Sequence, residues 1–203
     1  MLRFNKSLLL ALAIAAALAI SACGDEDDDG GGEDETQITE AIELAAASGD
    51  PAACTEAQTQ KFTEQVGEGT GEEAVKNCEE NASDSVADSV EVENIEVDGD
   101  AATADAAITG SAFDGQTLSV ALIKEGDTWK LDEATGFAVF DRDAFTAAFE
   151  EELTADPEVP PEAATCVVEQ FGALSDQEIQ DFFLGAADSQ AEAELFGPCF
   201  GGE

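Results

Sequence analysis

The run VEVENIEVDGDAATADAAITGSAFDGQTLSVALIKEGDTWKLD, residues 90–132, alternates apolar and polar positions for most of its length. Val90 and Val92 set the period, followed by Ala102, Ala104, Ala106 and Ile108, then Leu118, Val120 and Leu122, then Trp129 and Leu131. A period of two sends alternate side chains to opposite faces of a strand, so the run predicts an antiparallel meander with one apolar face. Asp98-Gly99, Asp114-Gly115 and Glu125-Gly126-Asp127 fall between the strands as hairpin turns, where glycine supplies the positive φ. The alternation slips at Asn94 and Ile95, the mark of a bulge that bends a sheet. The segment Gly136-Phe137-Ala138-Val139-Phe140 predicts a closing strand.

Upstream the period is helical. Ile38, Ala41, Ile42 and Ala45 share one face and stop at Gly49, after which Asp50 and Pro51 offer a cap and first residue for a second helix. That helix carries Cys54, Gln58, Phe62 and Val66 on one row, a face made only moderately apolar by Gln58. A third helix opens on a Thr70/Glu73 capping box and shows Ala74, Cys78 and Ala82 at spacings of four. If the second helix runs unbroken to Val66, Cys54 and Cys78 stand at different heights, so either it ends early or the two helices cross steeply. Downstream, from Asp141, helical spacing returns with Phe145, Ala148 and Phe149 and breaks at Pro157, Pro160 and Pro161. It resumes around Cys166, Val167, Gln170 and Leu174, and a Ser175/Glu178 capping box leads into Ile179, Phe182 and Phe183.

The first residues are not part of the fold. Arg3 and Lys6 precede an apolar run from Leu8 to Ile20, which is too short to span a hydrocarbon core of about 30 Å and has an acidic flank instead of a basic one. Residues 1–22 therefore predict a cleaved signal peptide. Leu18-Ala19-Ile20-Ser21-Ala22-Cys23 resembles the bacterial lipobox, with an aliphatic residue and two small ones before the thiol. The resemblance implies that Cys23 takes a diacylglycerol group and ties the mature chain to a membrane; two or more acyl chains give stable anchoring. Export is thereby implied, to the outer face of the cell membrane or, in a cell with two membranes, to the periplasm or outer membrane. Gly24 is not the Asp that resembles an inner-membrane retention signal in such cells.

Residues 24–35, GDEDDDGGGEDE, have nothing apolar to bury and predict a flexible acidic tether. Asp25, Asp27, Asp29 and Gly30 mimic the start of a calcium loop, but Thr36 stands where the bidentate Glu belongs, with Glu35 one place early. The run reads as a solvated spacer. Of five cysteines, lipidation of Cys23 leaves four, which can pair fully in an oxidising compartment. Order along the chain favours Cys54 with Cys78 and Cys166 with Cys199 among three connectivities, both as structural staples, the second pinning the segment Leu195 to Phe200.

Once Arg3 and Lys6 leave with the leader, 47 acidic residues face five basic ones. Nucleic acid and anionic headgroups are excluded as partners, because each needs a positive footprint. The excess is spread over the chain, which fits adaptation to a salt-rich or alkaline habitat better than a dedicated cation site. With 44% apolar residues in periodic order, the chain folds despite its charge.

N-terminal helices followed by a curved meander, with paired Cys54 and Cys78 and the strand Thr128-Trp129-Lys130-Leu131-Asp132 near its end, resemble the nuclear-transport-factor-two-like superfamily of cone-shaped α+β domains. The similarity covers about residues 36–140 and is greatest to small lipoproteins of actinobacteria and similar organisms that carry this fold behind a lipobox. The expected architecture is α+β: helices on a curved antiparallel sheet over 36–140, then a small disulfide-pinned helical unit over 141–203.

Chemistry is scarce. The chain has no His and no Tyr, which removes the commonest general base, the usual nitrogen ligand for metal and every Ser-His or Cys-His nucleophile. No phosphate loop, zinc spacing or nucleophile elbow is present, and no cofactor or metal is expected. The resemblance implies that catalytic members carry Asp, His or Tyr inside the cone, whereas the inward positions here, Ala102 to Ile108 and Leu118 to Leu122, are apolar. Asp105 and Asp132 are the candidate bases of a carboxylate hydrolase or isomerase, weighed against their reading as surface charges. The expected function is non-catalytic: a membrane-anchored surface module that binds a small apolar ligand or an envelope protein, or a purely structural surface protein if the cone is filled.

Overall fold

The computed structural model describes residues 31–67, 69–83, 86–155, 159–185 and 195–200. The leader, the lipobox with Cys23, most of the tether with its calcium-like run, and Pro157 lie outside the described residues.

Four strands, β1 (Ser89–Asp98), β2 (Ala101–Thr109), β3 (Thr117–Glu125) and β4 (Thr128–Val139), form one antiparallel sheet in the order β1-β2-β3-β4. The alternation read from the sequence sets its faces: Ala102, Ala104, Ala106, Ile108, Val120, Leu122, Trp129 and Leu131 are buried, and Leu118 is half-buried. Between Glu93 and Glu96 one extra residue enters β1, at the predicted slip, and Asn94 takes φ 53° with its amide donating to Asp105 Oδ2 at 2.9 Å. The predicted closing strand does not stand apart. It continues β4 to Val139, because three register shifts against β3 insert extra residues instead of a turn. Bulges on both edge strands bend the sheet, and the bend gives it a hollow side.

Helix α1 (Gly31–Ala47) lies across that hollow side, touching both β1 and β4. It buries Ile38, Ala41 and Ile42 against the strand alanines. Its start differs from expectation, since Gly31 to Glu35 were read as tether. Glu33 and Asp34 complement the positive end of the helix dipole, and Asp34 accepts from Lys124 Nζ at 2.6 Å and from the Trp129 indole at 2.9 Å. These partners, distant in sequence, recruit the acidic run into the helix.

The predicted second helix is two: α2 (Ala53–Glu56) and α3 (Gln60–Val66). The expected cap at Asp50 with Pro51 as first helical residue is displaced: Asp50 accepts from Ala52 N at 2.9 Å in a turn that precedes the helix, and Ala52 takes the N-cap position without a side-chain cap. The break comes where the chain lies along β4: Thr59 N donates to Leu131 O and Leu131 N donates to Ala57 O, at 2.8 and 2.9 Å, and Thr59 then caps α3. The early end lets Cys54 meet Cys78 on α4 (Glu72–Asn81) with a Cα separation of 6.0 Å. The predicted Thr70/Glu73 box does not form; Gly71 at φ 64° precedes the helix, and its N–H donates to Glu64 Oε1 at 2.6 Å.

After β4 come α5 (Arg142–Ala155), α6 (Pro161–Ala173) and α7 (Asp176–Phe183), then a 3-10 turn at Gly197–Phe200. The Ser175/Glu178 box is formed, with Pro161 opening α6. Cys166 and Cys199 are bridged, so both disulfides join the partners that chain order favoured. Phe145, Val167, Phe171 and Ile179 form a second core, ringed by further phenylalanines. Phe113, from the β2–β3 connection, packs edge-on against Phe183 with centroids 5.9 Å apart, so the second core reaches the end of the sheet. Among the described residues the architecture is α+β, and no helix is long and apolar enough to cross a membrane.

Candidate functional site

The hollow side of the sheet is not filled. Between the sheet, α1, α3 and the C-terminal helices lies a cavity of about 600 Å³, within the range of about 300–1,000 Å³ that small-molecule sites occupy. Its floor is built of Ala106 and Ile108 of β2, Leu118 and Val120 of β3 and Leu131 of β4, all in the predicted alternation, with Ala134 of β4 added beyond a register shift. Short alanines create the space; with larger residues at Ala106 and Ala134 the floor would rise into it. One wall comes from Ile42, Ala45 and Ala46 at the C-terminal half of α1, with Phe62 and Val66 of α3 beside it. The facing wall comes from Phe149 and Leu153 of α5 with Phe183 and Leu184, and Phe113 and Phe137 close the corner between.

Only Gln58, Ser111 and Glu152 interrupt this lining with polar groups, Gln58 buried, Ser111 half-buried and Glu152 exposed at the rim. Among the described residues, no buried side-chain nitrogen or oxygen lacks a hydrogen-bond partner.

Two glutamines, neither of them evident from the sequence pattern, hold the walls in place. Gln65 on α3 donates to Ala134 O at 2.8 Å and to Leu184 O at 3.0 Å, and accepts from Ala134 N at 2.8 Å. One amide thus ties floor and facing wall together. Gln116, with 0% exposure, donates to Asp141 O at 3.0 Å and accepts from Asp141 N at 2.9 Å, fixing the start of the C-terminal unit to the β2–β3 connection. Arg142 completes the junction, donating to Asp176 Oδ1 and Leu174 O, each at 2.6 Å. Chain separations of 25 to 119 residues keep such pairs invisible to local periodicity.

The candidate bases sit elsewhere. Asp105 accepts from Asn94 and from Ser119 Oγ at 2.8 Å, and Asp132 accepts from Thr59 Oγ1 at 3.0 Å and Lys61 at 2.9 Å. Neither carboxylate lines the cavity. The carboxyls that are held below the usual range are Asp34, by hydrogen bonds from Lys124 and Trp129; Glu64, by the Gly71 N–H and the Gln60 amide; and Glu178, by Ser175. Each serves a helix end or an ion pair outside the cavity. Among the described residues no group of three metal-ligating side chains is present. Cys54, Cys78, Cys166 and Cys199 are all consumed in bridges.

The fold and cavity define an α+β protein with an apolar hollow between a bent sheet and a helical lid. No family model, curated protein or solved structure matches the chain.

Proposed function

We propose that this protein is an exported, lipid-anchored surface protein that holds a small apolar molecule in its cavity and performs no reaction on it. The observation that carries the reading is the cavity itself, a hollow of about 600 Å³ walled by alanine, aliphatic and phenylalanine side chains. Water in such a space finds few hydrogen-bond partners, so its displacement by apolar surface is favourable by about 25 cal/mol per Å² buried. The anchor rests on the lipobox-like run ending at Cys23, and the exported setting accords with four cysteines paired. The cone-shaped fold of the nuclear-transport-factor-two-like superfamily is supported by helices preceding a bent meander with a hollow inner face. Four helices in place of three, with α2 and α3 split, are a departure from the expected order.

The test is native mass spectrometry of the chain from position 23, carrying Cys23→Ser and purified from its own host, before and after denaturation. The expected outcome is a bound molecule of small mass that leaves on unfolding. A bare chain that also fails to take up any apolar probe would overturn the reading and favour a structural surface protein. For the anchor, mass spectrometry of the membrane fraction from cells expressing the full chain should find Cys23 as the amino terminus and bearing a diacylglycerol, and an unmodified Cys23 would overturn it.

A further inference from the structure

We infer that the cavity selects uncharged acyl lipids, with an alcohol or ester as the polar end, and rejects lipids that end in an anion. The inference rests on the binding role proposed for the cavity and names its ligand class.

Among the described residues the lining contains no basic side chain. Every basic residue among the described ones is already committed to a carboxylate on another surface. Lys61 pairs with Asp132 and Glu133, Lys76 with Glu80, Lys124 with Asp34, Lys130 with Glu125, and Arg142 with Asp176. A fatty-acid carboxylate drawn into the cavity would therefore meet no counter-ion, and burying an unpaired carboxylate is among the costliest transfers a protein interior can make.

The charge beside the cavity adds to this. A second hollow, about 580 Å³, shares Ser111 and Glu152 with the first and is bordered by Asp88, Asp114 and Glu151. An anion approaching along this side meets four carboxylates in a chain whose formal charge is -40. Being exposed, these groups act weakly on an end of either sign, so rejection of an anion rests chiefly on the missing counter-ion inside. Inside, the Gln58 amide and Ser111 hydroxyl offer neutral hydrogen bonding, which suits a hydroxyl or ester.

The experiment compares dodecanol with dodecanoate as competitors for an environment-sensitive uncharged fluorophore. It uses the chain from position 23 with Cys23→Ser, at about pH 8, far above the ordinary carboxylate pKa of about 4. Dodecanol is expected to displace the fluorophore at least about tenfold more effectively, since the carboxylate stays unpaired. In Glu152→Lys, which places a cation at the rim, dodecanoate should gain severalfold and dodecanol should not change. Equal competition by the two in wild type, or stronger competition by dodecanoate, overturns the inference while leaving the cavity a binding site. Failure of fluorophore, alcohol and acid alike overturns the binding role as well.

Discussion

Gln65 is a single amide on which two cavity walls depend. Replacing it with Ala leaves the Ala134 amide and the Ala134 and Leu184 carbonyls without this partner. An unpaired buried polar group costs about 1–3 kcal/mol, so Gln65→Ala should lower unfolding free energy by about that amount in urea titration. Because the lost bonds join the floor to the lid, affinity for an uncharged probe should fall as well. An unchanged denaturation midpoint with unchanged binding would show that the amide does not hold the walls. Asp34 makes a prediction of another kind. Its carboxyl is held below its ordinary 3.8, chiefly by the Lys124 hydrogen bond, and Lys124 is held above its ordinary 10.5. A depressed acid contributes stability that is complete above its unfolded value and is lost as pH falls through the folded one; a raised amine loses its contribution only as pH climbs past 10.5. Asp34→Asn should therefore melt below wild type at neutral pH, and the gap should close in acid below the Asp34 pKa. A gap independent of pH in calorimetry would show that the charge on Asp34, paired with Lys124 and Trp129, is not what stabilises the helix start.

At the level of elements, the strands were legible and the helix ends were not. Alternation of Ala102 through Ile108 and Leu118 through Leu122 reports burial on one face directly, and Ala106, Ile108, Leu118 and Val120 of that face are part of the cavity floor. The Asn94–Ile95 bulge was equally plain, since a slip of phase is a local event. Helix boundaries were decided by partners distant in sequence: β4 edge groups that break the row between Cys54 and Val66, and Lys124 and Trp129, which draw Asp34 into α1. The upper wall of the cavity was hidden for the same reason, because Phe149 and Phe183 reach it only when the C-terminal unit folds back onto the sheet. That unit has a small core, so its disulfide matters. Removing the Cys166–Cys199 bridge as the Cys166→Ser/Cys199→Ser double variant should cost about 3–4 kcal/mol for a loop of this size. The wall it supports should then be cleaved first in limited proteolysis, between α6 and Phe200. Protection equal to wild type would mean that the phenylalanine cluster holds the unit unaided.

For the molecule as a whole, charge opposes the fold. A chain with 47 acidic and seven basic residues repels itself, and the five cations among the described residues are used in ion pairs already. Raising ionic strength from about 0.01 M to 1 M shortens the screening length from about 30 Å to 3 Å, which relieves that repulsion. The melting temperature should accordingly rise with sodium chloride across this range, opposite to the behaviour of a fold that depends on exposed ion pairs. A flat or falling trend would show that self-repulsion is not what limits stability.

The placement of α1 gives the molecule a direction. Its first turn is pinned beside Lys124 and Trp129, while Ile42, Ala45 and Ala46, near its other end, border the cavity. From Asp34 to Ile42 and Ala46 the helix rises about 12 to 18 Å, at 1.5 Å per residue. On the anchor proposed for Cys23, the chain would reach the fold at the helix end remote from the cavity, and the hollow would then take its contents from outside more readily than from the lipids beneath it, as a cup on a handle is filled.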